Sequence, residues 1–429
     1  MEMLLQQITG VQSPQRAVLF WLSLLCIVLI AAGCTGHLPA GMAGLIPFVM
    51  ALGGVLNALG ERLGWIRDYL GGGPIVVIFG SSLMVATGII PVELSSGVTN
   101  FVRDQGFLAL FISGLITGSL FGMDRQLLLR SALWYLPVIL GGVAGALVLV
   151  GLVGMLIGSG FIEAVFYVGL PIMGGGMGAG AVPLAEIFAN ILNSDAATVL
   201  SKMVPAVVLG NLVAIVAAGM LEKLGKIKPS LTGNGKLMKS QKVFRHEEKV
   251  ERIPDLAKMG TGLFVATSFY VMGYLLSQFI SLHPYALMIL CVGLVKALGV
   301  MPARFEEGAA LWGDFMVMTL TPALLACIGV GFTDLHQVAE VISLQYFVLV
   351  VTTVVGAILG AGLAGKMLGF YPIEASVTAG LCMANMGGTG DVAVLSASRR
   401  MNLMPYAQVS SRIGGAFILL LATALLGMM

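Results

Sequence analysis

Charge is scarce in this sequence: Asp, Glu, Lys and Arg make up only 10% of its 429 residues, where a soluble domain carries roughly 25%. With 58% hydrophobic residues, such a chain cannot clothe a water-facing surface. Histidine is scarce as well. His37, His246, His283 and His336 are scattered near the ends of apolar runs or in a polar linker, and form no catalytic or metal-ligating set. The five cysteines, Cys26, Cys34, Cys291, Cys327 and Cys382, sit in or beside apolar segments without metal-type spacing, which argues against a disulfide framework or a zinc site. A net charge of +2 is too small to point to nucleic acid.

What the chain has in abundance is hydrocarbon. Its mean hydropathy is +0.98, and eleven apolar runs read as spans: 17–34, 38–59, 74–91, 107–123, 132–158, 203–221, 258–281, 284–303, 309–330, 343–368 and 405–429. About 20 apolar residues in helix cross a hydrocarbon core roughly 30 Å thick. The expected fold is therefore an all-α membrane protein of about 11 transmembrane helices. The first run lacks an A-x-A-like cleavage site and is followed at once by others, so it reads as a retained helix.

The polar stretch 222–258 carries ten Lys/Arg against five acids and reads as a cytoplasmic linker. That places the N-terminus inside. Arg16, Arg62, Arg67, Arg125, Arg130, Arg304, Lys366, Arg399 and Arg400 then also fall inside, and only Arg103 and Lys202 outside, as the positive-inside rule requires. The linker, 222–257, separates an N-terminal helix (1–36) and a first repeat (37–221) from a second repeat (258–429). "GLPIMGGGMGAG" (169–180) matches "GLCMANMGGTGD" (380–391), Pro205 matches Pro405, and "GMD" ending at Asp124 matches "FTD" ending at Asp334. An odd number of spans separates the copies, so they are expected to be inverted.

Glycine, 58 residues in all, concentrates at the two matching clusters. The segments of about 160–200 and 370–400 are too long for connections and too interrupted for clean helices, since glycine costs about 1 kcal/mol against alanine in a helix interior. They read as re-entrant hairpins, the first entering from outside and the second from inside, with tips that meet near the middle. Broken backbone at that depth must be buried in protein or line a watery cavity. Half-helix N-termini then offer N–H donors to an anion, and unwound carbonyls can hold sodium. The plainer alternative is that the glycines only permit close helix packing.

Arg412, in "SSRIGGAF", is the only arginine expected well inside a span. It costs at least about 2.5–3.5 kcal/mol there, and its planar fork suits a carboxylate. It is the first candidate for substrate binding, with a structural ion pair to Asp391 as the alternative. Asp391 follows the second cluster directly. It reads either as a group that helps hold a cation and tunes Arg412, or as the cap of the next half-helix. Lys296 is expected to snorkel to the inner interface. Asp314 and Glu186 are expected to face a water-filled crevice.

At these clusters, and over "NMGGTGDVAVLSASRRMNLMPYAQVSSRIGGA" (385–416), the sequence resembles the bacterial 2-hydroxycarboxylate transporter family, which includes sodium-coupled citrate and malate carriers. The resemblance extends over nearly the whole chain. It implies a homodimer of two inverted five-helix repeats, each with a re-entrant hairpin, working as an elevator-type transporter in the bacterial inner membrane. It implies no enzyme activity. The tips and Arg412 would hold the substrate, with Gly178, Thr389, Gly387 and Gly388 among the contacts. Met177 and Met386 depart from the family's citrate carriers, which have an asparagine and a second arginine there; malate is therefore the expected cargo. Ile172, Gly175, Cys382, Met383, Asn385 and Ser411 would form sodium (Na+) sites, largely through backbone carbonyls, with Asp391 beside them. Two rivals stay open: proton-coupled or exchange transport of malate, citrate or lactate, and the membrane subunit of an ion-pumping decarboxylase.

Overall fold

The computed structural model describes residues 14–64, 72–123, 125, 134–192, 194–238, 255–280, 282–387 and 389–427. Among them the chain is helical throughout, with no strand and a single β-bridge, Met238 to Phe370. The helices, in chain order, are α1 (Pro14–Cys34), α2 (Met42–Arg62), α3 (Gly73–Ala86), α4 (Val92–Arg103), α5 (Phe107–Phe121), α6 (Leu136–Leu156), α7 (Phe161–Met173), α8 (Val182–Leu192) and α9 (Ala196–Ile227). After the linker come α10 (Leu256–Ser277), α11 (Pro284–Leu298), α12 (Ala303–Gly331), α13 (Leu335–Val341), α14 (Leu344–Met367), α15 (372–381), α16 (Thr389–Ala397) and α17 (Tyr406–Gly427).

Seven of these are long and apolar enough to cross a membrane, and eight if α4 and α5, bent by 44°, count as one span. The eleven runs read from sequence include three that form shorter apolar helices: the described part of α1, α3 and α11. The 14 residues of α3 reach about 21 Å at 1.5 Å per residue, less than the roughly 30 Å core. Local chemistry sets such limits. Gly106 and Gly299 adopt left-handed φ of 77° and 68°, which glycine accepts without steric cost, and so mark the α4–α5 bend and the end of α11. Where helices start, short polar side chains accept orphan N–H groups. Asp195 accepts from Thr198 N (3.2 Å), Asp255 from Ala257 N (2.9 Å) and Ser343 from Tyr346 N (3.2 Å).

Much of the glycine goes into helix crossings. Gly141 and Gly145 of α6 lie against Gly356 and Gly360 of α14, backbone to backbone, with a Cβ at Gly145 only 2.5 Å from the Gly356 carbonyl oxygen. This is small-xxx-small packing on both partners, the arrangement that lets helices approach where lipid supplies no hydrophobic drive. The helix before the first glycine cluster thus pairs with the helix before the second. In another crossing, Gly118 of α5 meets Gly313 of α12, and Gly262 of α10 meets Gly308 of α12. Lys296 adds to that second group. Contrary to the snorkelling expected of it, its side chain is only 4% exposed and pairs with Glu306 at 2.7 Å while donating to the Phe121 carbonyl at 3.1 Å. An unpaired buried ammonium would be far costlier than this pair.

Candidate functional site

Each glycine cluster interrupts a helix. The first helix runs through α7, with a wide π-type turn at Val165–Gly169, and stops at Gly174. Gly175 and Gly176 then take φ of +79° and +120°, the second of them outside anything a side-chain-bearing residue adopts comfortably. A π-type turn, Met177–Ala181, leads into α8. The second helix, α15, ends in a π-type turn at Ser376–Leu381, and the chain is non-helical from Cys382 to Gly387 before α16 begins. Gly387 has φ +71°. Wide turns of this kind recur at functional positions, and one more, Ser410–Gly414, contains both Ser411 and Arg412.

The two breaks touch. A Cβ at Gly176 would lie 2.7 Å from the Met386 carbonyl oxygen, and one at Gly387 would lie 3.0 Å from the Gly175 carbonyl oxygen. Gly175 also abuts α17, with its Cβ position 2.5 Å from the Ser411 carbonyl oxygen. Backbone is thus packed on backbone from three separate elements, at positions where only glycine fits.

Polar side chains knit the second break together. Asn385 Oδ1 accepts from Gly387 N at 2.6 Å, and its Nδ2 donates to Asp391 Oδ1 at 2.9 Å. Ser411 Oγ lies 3.3 Å from each Asp391 oxygen and 3.0 Å from the Cys382 carbonyl. The Cys382 thiol lies beside Asp391, and the Arg412 charge acts on the same carboxylate. Asp391, in the first turn of α16 and 2% exposed, is therefore the hub of a buried cluster, turned toward Asn385, Cys382 and Ser411 and within electrostatic reach of Arg412. Arg412 itself is half-buried.

The other sequence-derived candidates fall around this hub. Ile172, Cys382, Met383 and Asn385 are fully buried, Met177 and Met386 nearly so. Gly178 is half-buried, with the Phe111 ring 3.9 Å from its Cβ position. Met383 sulfur packs on Gly414, and Ile172 on Gly210 of α9. Thr389 opens α16; Gly388 lies outside the described residues. Asp314 is exposed, while Glu186 is half-buried near Arg103 and Asn190.

Two groupings escaped the sequence reading. Asn211 is fully buried and its Oδ1 accepts from Met386 N at 3.2 Å. Arg400, counted among the solvated loop cations, is 2% exposed. It pairs with Glu374 (3.0 Å) and Glu222 (2.7 Å), and donates to Thr232 (2.9 Å). Glu374, itself wholly buried, also accepts from Thr232 and from Gly233 and Gly235 N–H. The signal for Glu374 was present: an acid inside an apolar, interrupted segment.

A helical membrane fold with interrupted helices, and a buried carboxylate and amide and a half-buried guanidinium gathered at their breaks, has the makings of a membrane transporter. The comparisons with known proteins agree. Residues 16–424 match the model of the 2-hydroxycarboxylate transporter family, and the chain belongs to that family. It is 39% identical over 94% of its length, and 91% of the relative's, to the citrate transporter CitP of Leuconostoc mesenteroides subsp. mesenteroides. It is 37% identical to the Na(+)-malate symporter of Bacillus subtilis (94% and 90% covered) and 34% identical to the citrate/sodium symporter of Salmonella typhimurium (94% and 92%). The family and these relatives are transporters rather than enzymes, which sets aside the decarboxylase subunit.

Proposed function

We propose that the protein is a sodium-coupled symporter of a 2-hydroxycarboxylate, with malate as its cargo, in a bacterial inner membrane with its N-terminus cytoplasmic. The observation that carries this reading is the meeting of the two breaks beside Asp391, Ser411 and Arg412. The guanidinium and the helix N-terminus at Thr389 offer donors to a carboxylate. The Cys382 carbonyl, Ser411 hydroxyl and Asp391 carboxylate offer oxygens to a hard cation. Asn385 keeps its Oδ1 on Gly387 and braces the carboxylate.

Sodium binding offsets the anion's charge. An inside-negative potential is worth about 2.3 kcal/mol per elementary charge per 100 mV, so uptake of a divalent anion is opposed unless at least two cations travel with it. Family membership and the names of two relatives as sodium symporters support the coupling ion. Met386, where the family's citrate carriers have an arginine, favours a dicarboxylate over citrate. The inverted repeats and an elevator motion in a homodimer remain part of the proposal. Their support is the pairing of α6 with α14 and the separate crossing of α5, α10 and α12, which the Lys296–Glu306 pair fastens.

The test is uptake of labelled malate, citrate and lactate into proteoliposomes with and without a sodium gradient, for the parent and Arg412→Ala. Sodium-dependent malate uptake that is lost in the folded variant is expected. Uptake driven equally by a pH gradient without sodium overturns the coupling, and unchanged malate affinity in Arg412→Ala removes that side chain from the site.

A further inference from the structure

Two buried side-chain nitrogens have no hydrogen-bond partner among the described residues: Trp312 Nε1 and Asn211 Nδ2. The indole lies within the crossing of α12 and α5, beside Gly114. The carboxamide lies at the second break. Asn211 Oδ1 takes the Met386 N–H and sits 2.7 Å from the Cβ position of Gly390, in the first turn of α16. The orientation of the amide is settled by that bond, because a backbone N–H requires an acceptor and only the oxygen can serve. The NH2 group is left with two protons and nothing to receive them.

Such a group is costly in a protein interior, and native structures hold few of them. Inside a membrane a polar side chain of this kind marks a ligand path. A carboxamide nitrogen only donates, so it cannot ligate a cation and calls for an acceptor. Close by is the N-terminus of α16, nine residues long, whose dipole also favours an anion.

We propose that Asn211 is a ligand of the transported anion, its Nδ2 donating to a carboxylate oxygen seated at the N-terminus of α16 while its Oδ1 holds the unwound Met386. The inference rests on the reading of the breaks as the cargo site. It adds a residue from α9 to a site otherwise built from the two breaks and α17, so that the site draws on four elements at once.

Asn211→Asp separates the two roles, since it keeps an oxygen for Met386 N–H and replaces the donor with a negative acceptor. In sodium-driven malate uptake by reconstituted full-length protein, it is expected to raise the malate KM by more than about tenfold, the scale of a lost hydrogen bond to a charged group plus repulsion. Asn211→Ser, neutral and small, guards against misfolding of the first variant and is expected to raise KM about tenfold with Vmax within threefold. Monodisperse elution shows that each variant is folded. A KM within twofold of the parent in a folded Asn211→Asp or Asn211→Ser, while Arg412→Ala loses transport, overturns the proposal and leaves the functional reading standing. A parent that takes up none of the labelled acids overturns both.

Discussion

Ser411 Oγ stands 3.3 Å from both oxygens of Asp391 and 3.0 Å from the carbonyl of Cys382, joining α17 to two points of the second break. A hydroxyl has one proton and two lone pairs, so it can donate to only one of these three oxygens at a time. Asn385 Nδ2 supplies a further proton to Asp391 Oδ1, but carboxylate and carbonyl oxygens carry two lone pairs each, so the cluster keeps acceptor capacity that a cation can use. Removing the hydroxyl in Ser411→Ala is expected to raise the sodium concentration for half-maximal uptake by roughly tenfold, with the malate KM at saturating sodium little changed. Sodium titrations of malate uptake in proteoliposomes check this, and an unaltered sodium dependence would take Ser411 out of the cation site.

That cluster was partly legible beforehand. Asp391 and Arg412 stood out because charge is conspicuous in a chain this apolar, Asn385 and Ser411 were implied by the family resemblance, and the helix breaks announced themselves through glycine. Asn211 was harder to see, since a single asparagine in a long apolar helix gives no hint of which face it occupies until α9 is packed against the break. Arg400 was misplaced for a related reason: a loop arginine next to Arg399 looks solvated, and only folding brings Glu374 and Glu222 to it from positions 26 and 178 residues away. Spans were over-counted in length where glycine or proline ended a helix early, as at Gly299. The internal likeness runs further than the glycine clusters, for Ile162-Glu163-Ala164 and Ile373-Glu374-Ala375 open the two broken helices in the same register.

Gly175 and Gly158 give a matched pair for testing the contact between the breaks. Both have strongly positive φ, +79° and +85°, but a Cβ at Gly175 would meet the Ser411 carbonyl at 2.5 Å whereas one at Gly158 meets nothing within 4 Å. Alanine at either position costs about 1–2 kcal/mol in backbone conformation. Gly158→Ala is expected to lower the thermal midpoint modestly and to transport normally. Gly175→Ala must also push Ser411 aside, and is expected to lose sodium-dependent uptake. Equal transport by the two variants would show that the close approach of the first break to α17 is dispensable.

Met386 bears on the choice of cargo. Its side chain is 9% exposed beside the second break, at the position where the family's citrate carriers have an arginine. Met386→Arg would supply a second planar donor fork for a third carboxylate. Competition of unlabelled citrate against labelled malate is expected to strengthen about tenfold in the variant, a change of about 1.4 kcal/mol. If citrate competes no better, this position does not set the number of carboxylates accepted.

The buried pair Arg400–Glu374 joins the segment after α9 to the base of the second broken helix, since Glu374 also holds Gly233 and Gly235 and Asn402 donates to the Gly235 carbonyl at 2.8 Å. Removing Glu374 takes away one of the two carboxylates that balance the buried Arg400; breaking a buried pair typically costs about 3–5 kcal/mol. Glu374→Gln should therefore lower the thermal midpoint sharply, whereas a neutral pair, Glu374→Gln with Arg400→Met, should recover part of the loss because the under-balanced guanidinium is gone as well. Glu222 tempers the recovery, as it loses Arg400, but it keeps Lys226 at 3.5 Å and at 18% exposure retains some contact with water. Differential scanning fluorimetry of the three proteins decides the matter. A double variant less stable than Glu374→Gln would mean that the arginine is held chiefly by Glu222 and the Ser398 carbonyl, with Glu374 serving the linker glycines instead.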